Sequence, residues 1–279
     1  MKKEMKIREA AAGDLEDLAI ISRATWNGED YLERVSKGWI DQRDFFVGEI
    51  EGRVIACGKI STLPGEVAWL EGLRVHNDFK GKGYGRILSD EILQVARKKV
   101  MAGDFQSIEF STYIKNDESI CMAEKQGFRA TELFHVLSME NPPVLNDPAV
   151  ITLISPSDKD FSIYPEHAPC GWKYINHRTT DSLLWMKENA EFWKVSTGAK
   201  FLAAHRGSEI SPLAAALDDP EGFIQGVFAF AEKKRLDYLE LMIHGSHKEL
   251  LTAAVKNGFS YWNQQGVANL PVYRFFEQP

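Results

Sequence analysis

The chain has 279 residues, 44% of them hydrophobic and 11% aromatic, and its 33 Lys and Arg against 40 Asp and Glu leave a net charge of −7. That is apolar material for one large or two moderate cores, which excludes disorder, and the acidic balance argues against a general nucleic-acid binder. Apolar runs such as Val227 to Ala231 fall far short of the ~20 residues of a membrane span, and no apolar leader follows Lys2 and Lys3, so the expectation is a cytoplasmic protein with neither membrane nor nucleic acid as partner.

Ile7 to Ala10 reads as a short first strand. Gly13-Asp14 then offers an N-cap to a helix in which Leu15, Leu18, Ala19 and Ser22 recur at helical spacing. Phe45 to Ile50 and Val54 to Ile60 flank the tight turn Glu51-Gly52, the pattern of a β-hairpin. Val67 to Val75 supplies a further strand. A glycine-rich loop follows, then an amphipathic helix from about Tyr84 to Lys99, a strand at Ser107 to Tyr113, a helix from about Glu118 to Lys125 and a strand near Phe134 to Met139.

Asn141-Pro142-Pro143 and Asn146-Asp147-Pro148 break both kinds of element and mark a linker at about 141–150, dividing the sequence into a first domain at 1–145 and a second at 146–279. In the second, Asp181 to Lys194 has the pattern of an amphipathic helix. The later part of the second half repeats the first. Ile108-Glu109-Phe110 and Lys125-Gln126-Gly127-Phe128 recur as Leu239-Glu240-Leu241 and Lys256-Asn257-Gly258-Phe259, with eighteen residues from Glu to Gly in each. A hairpin is expected to recur too, Phe201 to His205 entering Gly207-Ser208 as Phe45 to Ile50 enters Gly52. On that alignment Gly52 to Gly127 is 75 residues and Gly207 to Gly258 is 51, so the second copy lacks about one strand and one loop. The expected fold class is α/β with a mixed sheet, present in two copies.

Lys80-Gly81-Lys82-Gly83-Tyr84-Gly85-Arg86 lies between a strand and a helix. Small residues there let backbone N–H groups converge on an anion at the positive end of the helix, so a phosphate ligand is the natural inference. The two common nucleotide loops do not fit. A Rossmann loop from Gly81 would need a glycine at Arg86, and a Walker loop on Gly81-Lys82 would need a glycine at His76 and a Ser or Thr at Gly83. The segment resembles instead the pyrophosphate loop of the Gcn5-related N-acetyltransferases (GNAT), Gln/Arg-x-x-Gly-x-Gly/Ala, here preceded by Leu73-Arg74-Val75, with Lys80 replacing the usual Arg or Gln. A second family pattern, Asn-x-x-Ala/Ser-x-x-x-Tyr-x-x-x-Gly-Phe, is matched by Asn116, Ser119, Gly127 and Phe128 in register.

The resemblance covers roughly residues 5–140; the second half enters through the repeat. It implies the acyl-CoA N-acyltransferase fold, in tandem with a degenerate second copy, its mixed sheet splaying open after the strand that ends at Val75. It implies further that acetyl-CoA lies in the splay. The backbone of Leu73 and Val75 would pair with its pantetheine arm, and the amides of Lys80, Gly81, Lys82, Gly83, Tyr84, Gly85 and Arg86 would hold its pyrophosphate, with Asn116 as a further cofactor contact.

Direct transfer needs a neutral amine, and a carboxylate beside the cleft can take the ammonium proton. Glu71, two residues before Leu73 on an otherwise apolar strand, is the candidate, since family members often carry a general-base Glu there. The other reading of Glu71 is a solvated or cap-like residue at a bulge next to Gly72. The tyrosine that usually serves as general acid falls on Ala123, so no acid is assigned, and Tyr113 and Cys121 nearby are explained more simply by packing. Trp26 and Tyr31 fall in the region that lines the acceptor site in the family.

Cys57, Cys121 and Cys170 form neither a disulfide framework nor a CxxC knuckle, and His244-Gly-Ser-His247 lacks a third ligand, so no metal is expected. The aromatic segment Tyr164 to Trp172 either walls the acceptor pocket or packs between the domains. The expected function is transfer of the acetyl group of acetyl-CoA to a small-molecule or peptide amine by direct attack in a ternary complex. The alternatives are transfer of another acyl group and a non-catalytic acyl-CoA sensor.

Overall fold

Two left-handed residues, Glu51 (φ 52°) and Gly52 (φ 81°), close the first hairpin in the computed structural model, which describes residues 3–205, 207–262 and 266–277. Positive φ at both central positions gives a turn whose twist matches the flanking strands. The chain runs β1 (Lys6–Glu9), α1 (Leu15–Arg23), α2 (Leu32–Asp41), β2 (Phe45–Ile50), β3 (Arg53–Leu63), β4 (Val67–Val75), α3 (Tyr84–Ala102), β5 (Ser107–Ser111), α4 (Asp117–Gln126) and β6 (Phe128–Glu140). It continues β7 (Ile151–Leu153), β8 (His167–Cys170), β9 (Lys173–Asn176), α5 (Ser182–Asn189), β10 (Ala190–Val195), β11 (Lys200–Ala204), β12 (Glu209–Pro212), α6 (Ala215–Asp218) and α7 (Pro220–Lys234). β13 (Tyr238–His244), α8 (Lys248–Lys256), β14 (Ser260–Tyr261) and β15 (Leu270–Phe275) follow. No helix among the described residues is long and apolar enough to cross a membrane.

By their internal contacts the residues form two compact units. The first takes in the chain up to Phe110, Glu124–Gly127 and the chain from Arg274; the second comprises Ser111–Ala123 and Phe128–Tyr273. These units differ in kind from the sequence copies divided at 145/146, because the irregular stretch at 141–150 connects β6 to β7 inside the second unit.

In the first unit the strands lie in the order β1-β2-β3-β4-β5, antiparallel except for the parallel pair β4–β5. Leu18, Ile21, Leu32 and Trp39 of α1 and α2 pack on Phe45, Val47 and Cys57. Asp14, expected to cap α1, turns back instead. Its carboxylate accepts the Ala11 N–H at 2.7 Å and two bonds from Arg8 at 2.7 and 2.8 Å, so the charge goes to an ion pair.

The second unit has the order β6-β13-β12-β11-β10-β7, with β14 also on β6, antiparallel except for the parallel pair β12–β13. Phe223, Val227 and Phe230 of α7 and Leu250 and Ala254 of α8 pack on Phe201, Ile210, Leu239, Leu241 and Ile243.

The parallel pairs align the copies. β12 is antiparallel to β11 and parallel to β13, as β4 is to β3 and β5, so β12 corresponds to β4 and the turn at Gly207 to the turn at Gly65. The expected match of Gly207 to Gly52 is therefore one hairpin out of register, and no strand is missing. Gly65 to Gly127 spans 62 residues and Gly207 to Gly258 spans 51; the shortening comes mainly from β12, four residues against nine in β4, and α7, 15 against 19 in α3. The helix expected at Asp181 to Lys194 also stops short. Ala190–Val195 is strand β10, because Ala190, Phe192 and Val195 bury while the strand ladders to both β11 and β7. β6 starts at Phe128, six residues before the expected Phe134, since Gly127 (φ 102°) turns the chain straight out of α4.

Candidate active site

On β4, Gly72 and Leu73 together face Gly58 of β3, because the register runs Cys57↔Arg74 and then Lys59↔Glu71. This is a β-bulge. Gly72 has φ 69°, and a Cβ there would lie 2.5 Å from Cζ3 of Trp39, so only glycine lets the bulge close against that ring. The ladder to β5 covers only Val67–Trp69 against Ser107–Glu109. Past Trp69, β4 is laddered to β3 alone among the described residues. Leu73 and Val75 lie past the end of the β4–β5 ladder, so the pairing expected to open after Val75 already stops within β4.

A short turn at Asn77–Phe79 leads from β4 to the glycine loop. Gly81 (φ 72°) and Gly83 (φ 77°) are left-handed, and Gly83 is the N-cap of α3, its carbonyl accepting the Ile87 N–H at 3.3 Å. A Cβ on Gly85 would come 3.1 Å from Cγ2 of Val75, so the start of the helix sits close on the end of β4. The first turn of α3 carries no acidic side chain and no side-chain cap, and its leading N–H groups have no acceptor within the helix. Lys80, Lys82 and Arg86 are exposed around it; Lys82 Nζ donates to the Asp78 carbonyl at 2.5 Å, and Arg86 lies 3.6 Å from Asp90. Backbone donors at a positive helix end, ringed by cations, fit a pyrophosphate.

The matching helix of the second copy is built differently. Asp219 Oδ1 accepts the Gly222 N–H at 3.0 Å, and a Cβ on Gly222 would meet Asp219 Oδ2 at 1.9 Å. Pro220 at the first turn offers no N–H. The chain's own carboxylate occupies the helix end where the first copy leaves amides for an anion.

Glu71 lies on the α1–α2 side of the sheet. Its Oε1 accepts the Ser61 hydroxyl at 2.5 Å, and across the ladder Lys59 donates to the carbonyls of Arg43 and Ile60 at 2.6 and 2.8 Å. Tyr31 is close by. Burial first, and Glu71 and Asp30 against the opposing pull of Arg74, push its hydroxyl up to about 12, so Tyr31 stays protonated.

Arg74 organises the neighbourhood. It forms a fork on Asp30, Nε and Nη2 each at 3.1 Å, and the Asp30 side chain is 0% exposed. Its guanidinium carbon lies 4.2 Å from the Trp26 ring centre and 5.5 Å from that of Tyr31. Asn77 Nδ2 donates to the Ala24 carbonyl at 2.7 Å, a second tie between the end of β4 and the α1–α2 connection. Trp26 is 60% exposed on a run of three left-handed residues, Trp26 (φ 47°), Asn27 (φ 55°) and Gly28 (φ 93°).

Glu71, Trp26, Tyr31, Leu73, Val75 and Lys80–Arg86 all belong to the first unit. Asn116 belongs to the second, where Nδ2 donates to Thr112 Oγ1 at 3.0 Å and its carbonyl accepts the Ile120 N–H at 3.0 Å. Ala123 is a buried apolar position, and the Tyr113 hydroxyl donates to the Trp262 carbonyl at 2.9 Å. Ser61, Arg74 and Asp30 escaped sequence reasoning. A charge in the apolar run Val67–Val75 demands a buried partner, and Asp30 beside Tyr31 was the signal available.

Glu132, Glu166 and His167 in the second unit bring one ligand atom each within 4.8 Å, a grouping the sequence did not suggest. The Glu132 carboxylate is already committed, accepting the N–H groups of Glu166 and His167 at 3.2 and 3.1 Å and facing His167 Nδ1. It anchors the start of β8. Within Tyr164 to Trp172, the Tyr164 hydroxyl donates to the Pro212 carbonyl at 2.7 Å, a contact inside the second unit.

Residues 14–128 match the acetyltransferase (GNAT) family. An uncharacterized N-acetyltransferase of Chlorobaculum tepidum is 37% identical over 81 residues, 28% of this chain and 52% of that protein, so the chain matches about half the length of this curated relative. Among solved structures, a GCN5-related N-acetyltransferase from Sphaerobacter thermophilus superposes with a TM-score of 0.65 at 13% identity, over 97% of this chain and 95% of its own. A tandem GNAT protein from the clavulanic acid biosynthesis pathway superposes with a TM-score of 0.57 at 12% identity, over 97% of this chain and 98% of its own. At these identities the likeness is one of fold, and it extends through both halves.

Proposed function

Residues 14–128 match the GNAT acetyltransferase family, and on that premise we propose that the protein transfers the acetyl group of acetyl-CoA to an amine by direct attack in a ternary complex. The observation that carries the reading is the coincidence, in one unit, of a bulged strand parted from its neighbour, an uncapped helix start behind Gly81 and Gly83, and a carboxylate two residues before Leu73. The first copy, at 1–145, would do the chemistry; the second, at 146–279, would be a degenerate copy without a donor site.

Bound acetyl-CoA would supply the electrophilic thioester carbonyl. The chain's own groups do the rest. Leu73 and Val75 would offer main-chain partners to the pantetheine arm, and the amides from Lys80 to Arg86 would bind the pyrophosphate. Glu71, with Oε1 fixed by Ser61, would take the proton from the substrate ammonium so that a neutral nitrogen can attack. Trp26 and Tyr31, placed by Arg74, would line the approach of the acceptor.

The test is Glu71→Gln, which keeps the shape and the Ser61 contact but not the basicity. Affinity for CoA by calorimetry should be unchanged while turnover over an amine panel falls roughly 10²-fold or more, the loss shrinking as pH approaches the pKa of the amine. Wild-type turnover by the variant from about pH 6 to about pH 10 would make Glu71 structural. Wild-type protein that binds acetyl-CoA and acetylates nothing would be a sensor.

A further inference from the structure

On the sheet of the second unit, Leu239, Leu241, Ile243 and Ile210 face α7 and α8, so the alternate residues Glu240, Met242, Glu209 and Ser211 face the other way. That face is covered by the β8–β9 hairpin, which sends Trp172 Nε1 to Glu240 Oε2 at 3.3 Å. Glu209 and Glu240 stand directly opposite each other in the parallel ladder, and both are buried. Two carboxyls at facing positions repel unless something positive lies between or beside them. Their hydrogen-bond donors are neutral: Tyr238 OH to Glu240 Oε1 at 2.9 Å, Trp172 to Oε2, and Ser208 Oγ to Glu209 Oε2 at 3.1 Å. Among the described residues no cationic side chain pairs with either.

A second, independent observation points the same way. Ser211 Oγ, on the same face two residues past Glu209, is 1% exposed and has no hydrogen-bond partner among the described residues. Aromatic rings adjoin the carboxyls. Trp172, 37% exposed, lies 5.3 Å from Trp262 between ring centres, Tyr113 packs edge-on to Trp262 at 5.8 Å, and Tyr238 is already on Glu240.

We propose that the second unit carries a binding site for an organic ammonium ion, held by Glu240 and Glu209 and walled by Trp172 and Trp262. Carboxylates supply the charge and the adjoining rings an apolar wall, with Ser211 as acceptor for an ammonium N–H. A hard metal cation suits the site poorly, because it wants six or more oxygens and the rings offer none. Burial first, and the adjacent Glu209 against the bonds from Tyr238 and Trp172, push the Glu240 carboxyl up to about 7. The groups that titrate in its reach are Glu209 on β12, Tyr238 on β13 and Tyr174 on β9, and burial holds both tyrosines protonated at neutral pH. A bound ammonium therefore displaces a proton from the Glu240 carboxyl near neutrality. The site does not depend on the acyl-transfer reading.

The experiment titrates the full chain with n-butylammonium, following tryptophan fluorescence and calorimetry in two buffers of different ionisation enthalpy. Saturable quenching with proton release near pH 7, absent with n-pentanol and not competed by potassium, is expected. Glu240→Gln and, separately, Glu209→Gln should each weaken binding roughly tenfold or more while leaving CoA affinity unchanged, with cooperative urea unfolding followed by tryptophan fluorescence reporting that the second unit is folded. No saturable signal up to about 10 mM, or wild-type affinity in whichever variant retains CoA binding, would overturn the site.

Discussion

Replacing Glu240 by Gln removes a charge that the fold resists, and the gain depends on pH in a defined direction. The carboxyl moves from its ordinary 4.5 to about 7, with burial as the main cause. Each tenfold preference for the protonated form is worth about 1.4 kcal/mol, so ionised Glu240 destabilises the native state by about 3 kcal/mol. The sign follows from proton counts. Below pH 4.5 the group is protonated in both folded and unfolded chains and costs nothing. Between 4.5 and 7 the folded chain holds more protons than the unfolded one, so stability falls as pH rises, and above 7 the full cost applies. Gln has no such slope. The amide also fits the donors Tyr238 and Trp172 less well, but that loss is the same at every pH and cancels in the comparison. Urea unfolding of both proteins at about pH 5 and about pH 8 should show the variant gaining roughly 2.5 kcal/mol on the wild type between the two. A difference between the proteins that does not change with pH would refute the placement of Glu240 as a buried, cation-free carboxyl.

Gly72→Ala meets both a left-handed backbone and the Trp39 ring at 2.5 Å, so it should cost about 2–4 kcal/mol and lower the thermal midpoint; a loss below about 0.5 kcal/mol would mean the bulge can relax away from the ring. Calorimetric titration of the intact chain should give one CoA per chain, because Asp219 fills the second helix end. A second site abolished by changes at Pro220 to Phe223 would refute that assignment.

The shape of the glycine loop was legible in the chain. Gly81, Gly83 and Gly85 are local requirements, two for left-handed backbone and one for close approach to Val75, and local requirements leave a trace in residue type. Glu71 stood out for the same reason, a carboxylate in an apolar run. The repeat was legible as well, but its register was not. Two hairpins with glycine turns look alike along the chain, and only the parallel pairing of β12 with β13 shows which of them matches β4. The strand at Ala190–Val195 was hidden because its apolar residues suit a helix until neighbours on both edges take up its hydrogen bonds.

The sequence by itself determined most of the first half's elements, the glycine loop between β4 and α3 and the presence of two related halves, all set by residue type and spacing over a few turns of chain. Only the tertiary structure decided which distant charges meet. Asp30 finds Arg74 across 44 positions, Ser61 finds Glu71, and Glu209 faces Glu240. Such encounters depend on sheet register and on which face each side chain takes, and a shift of one residue would turn every one of them to the opposite side.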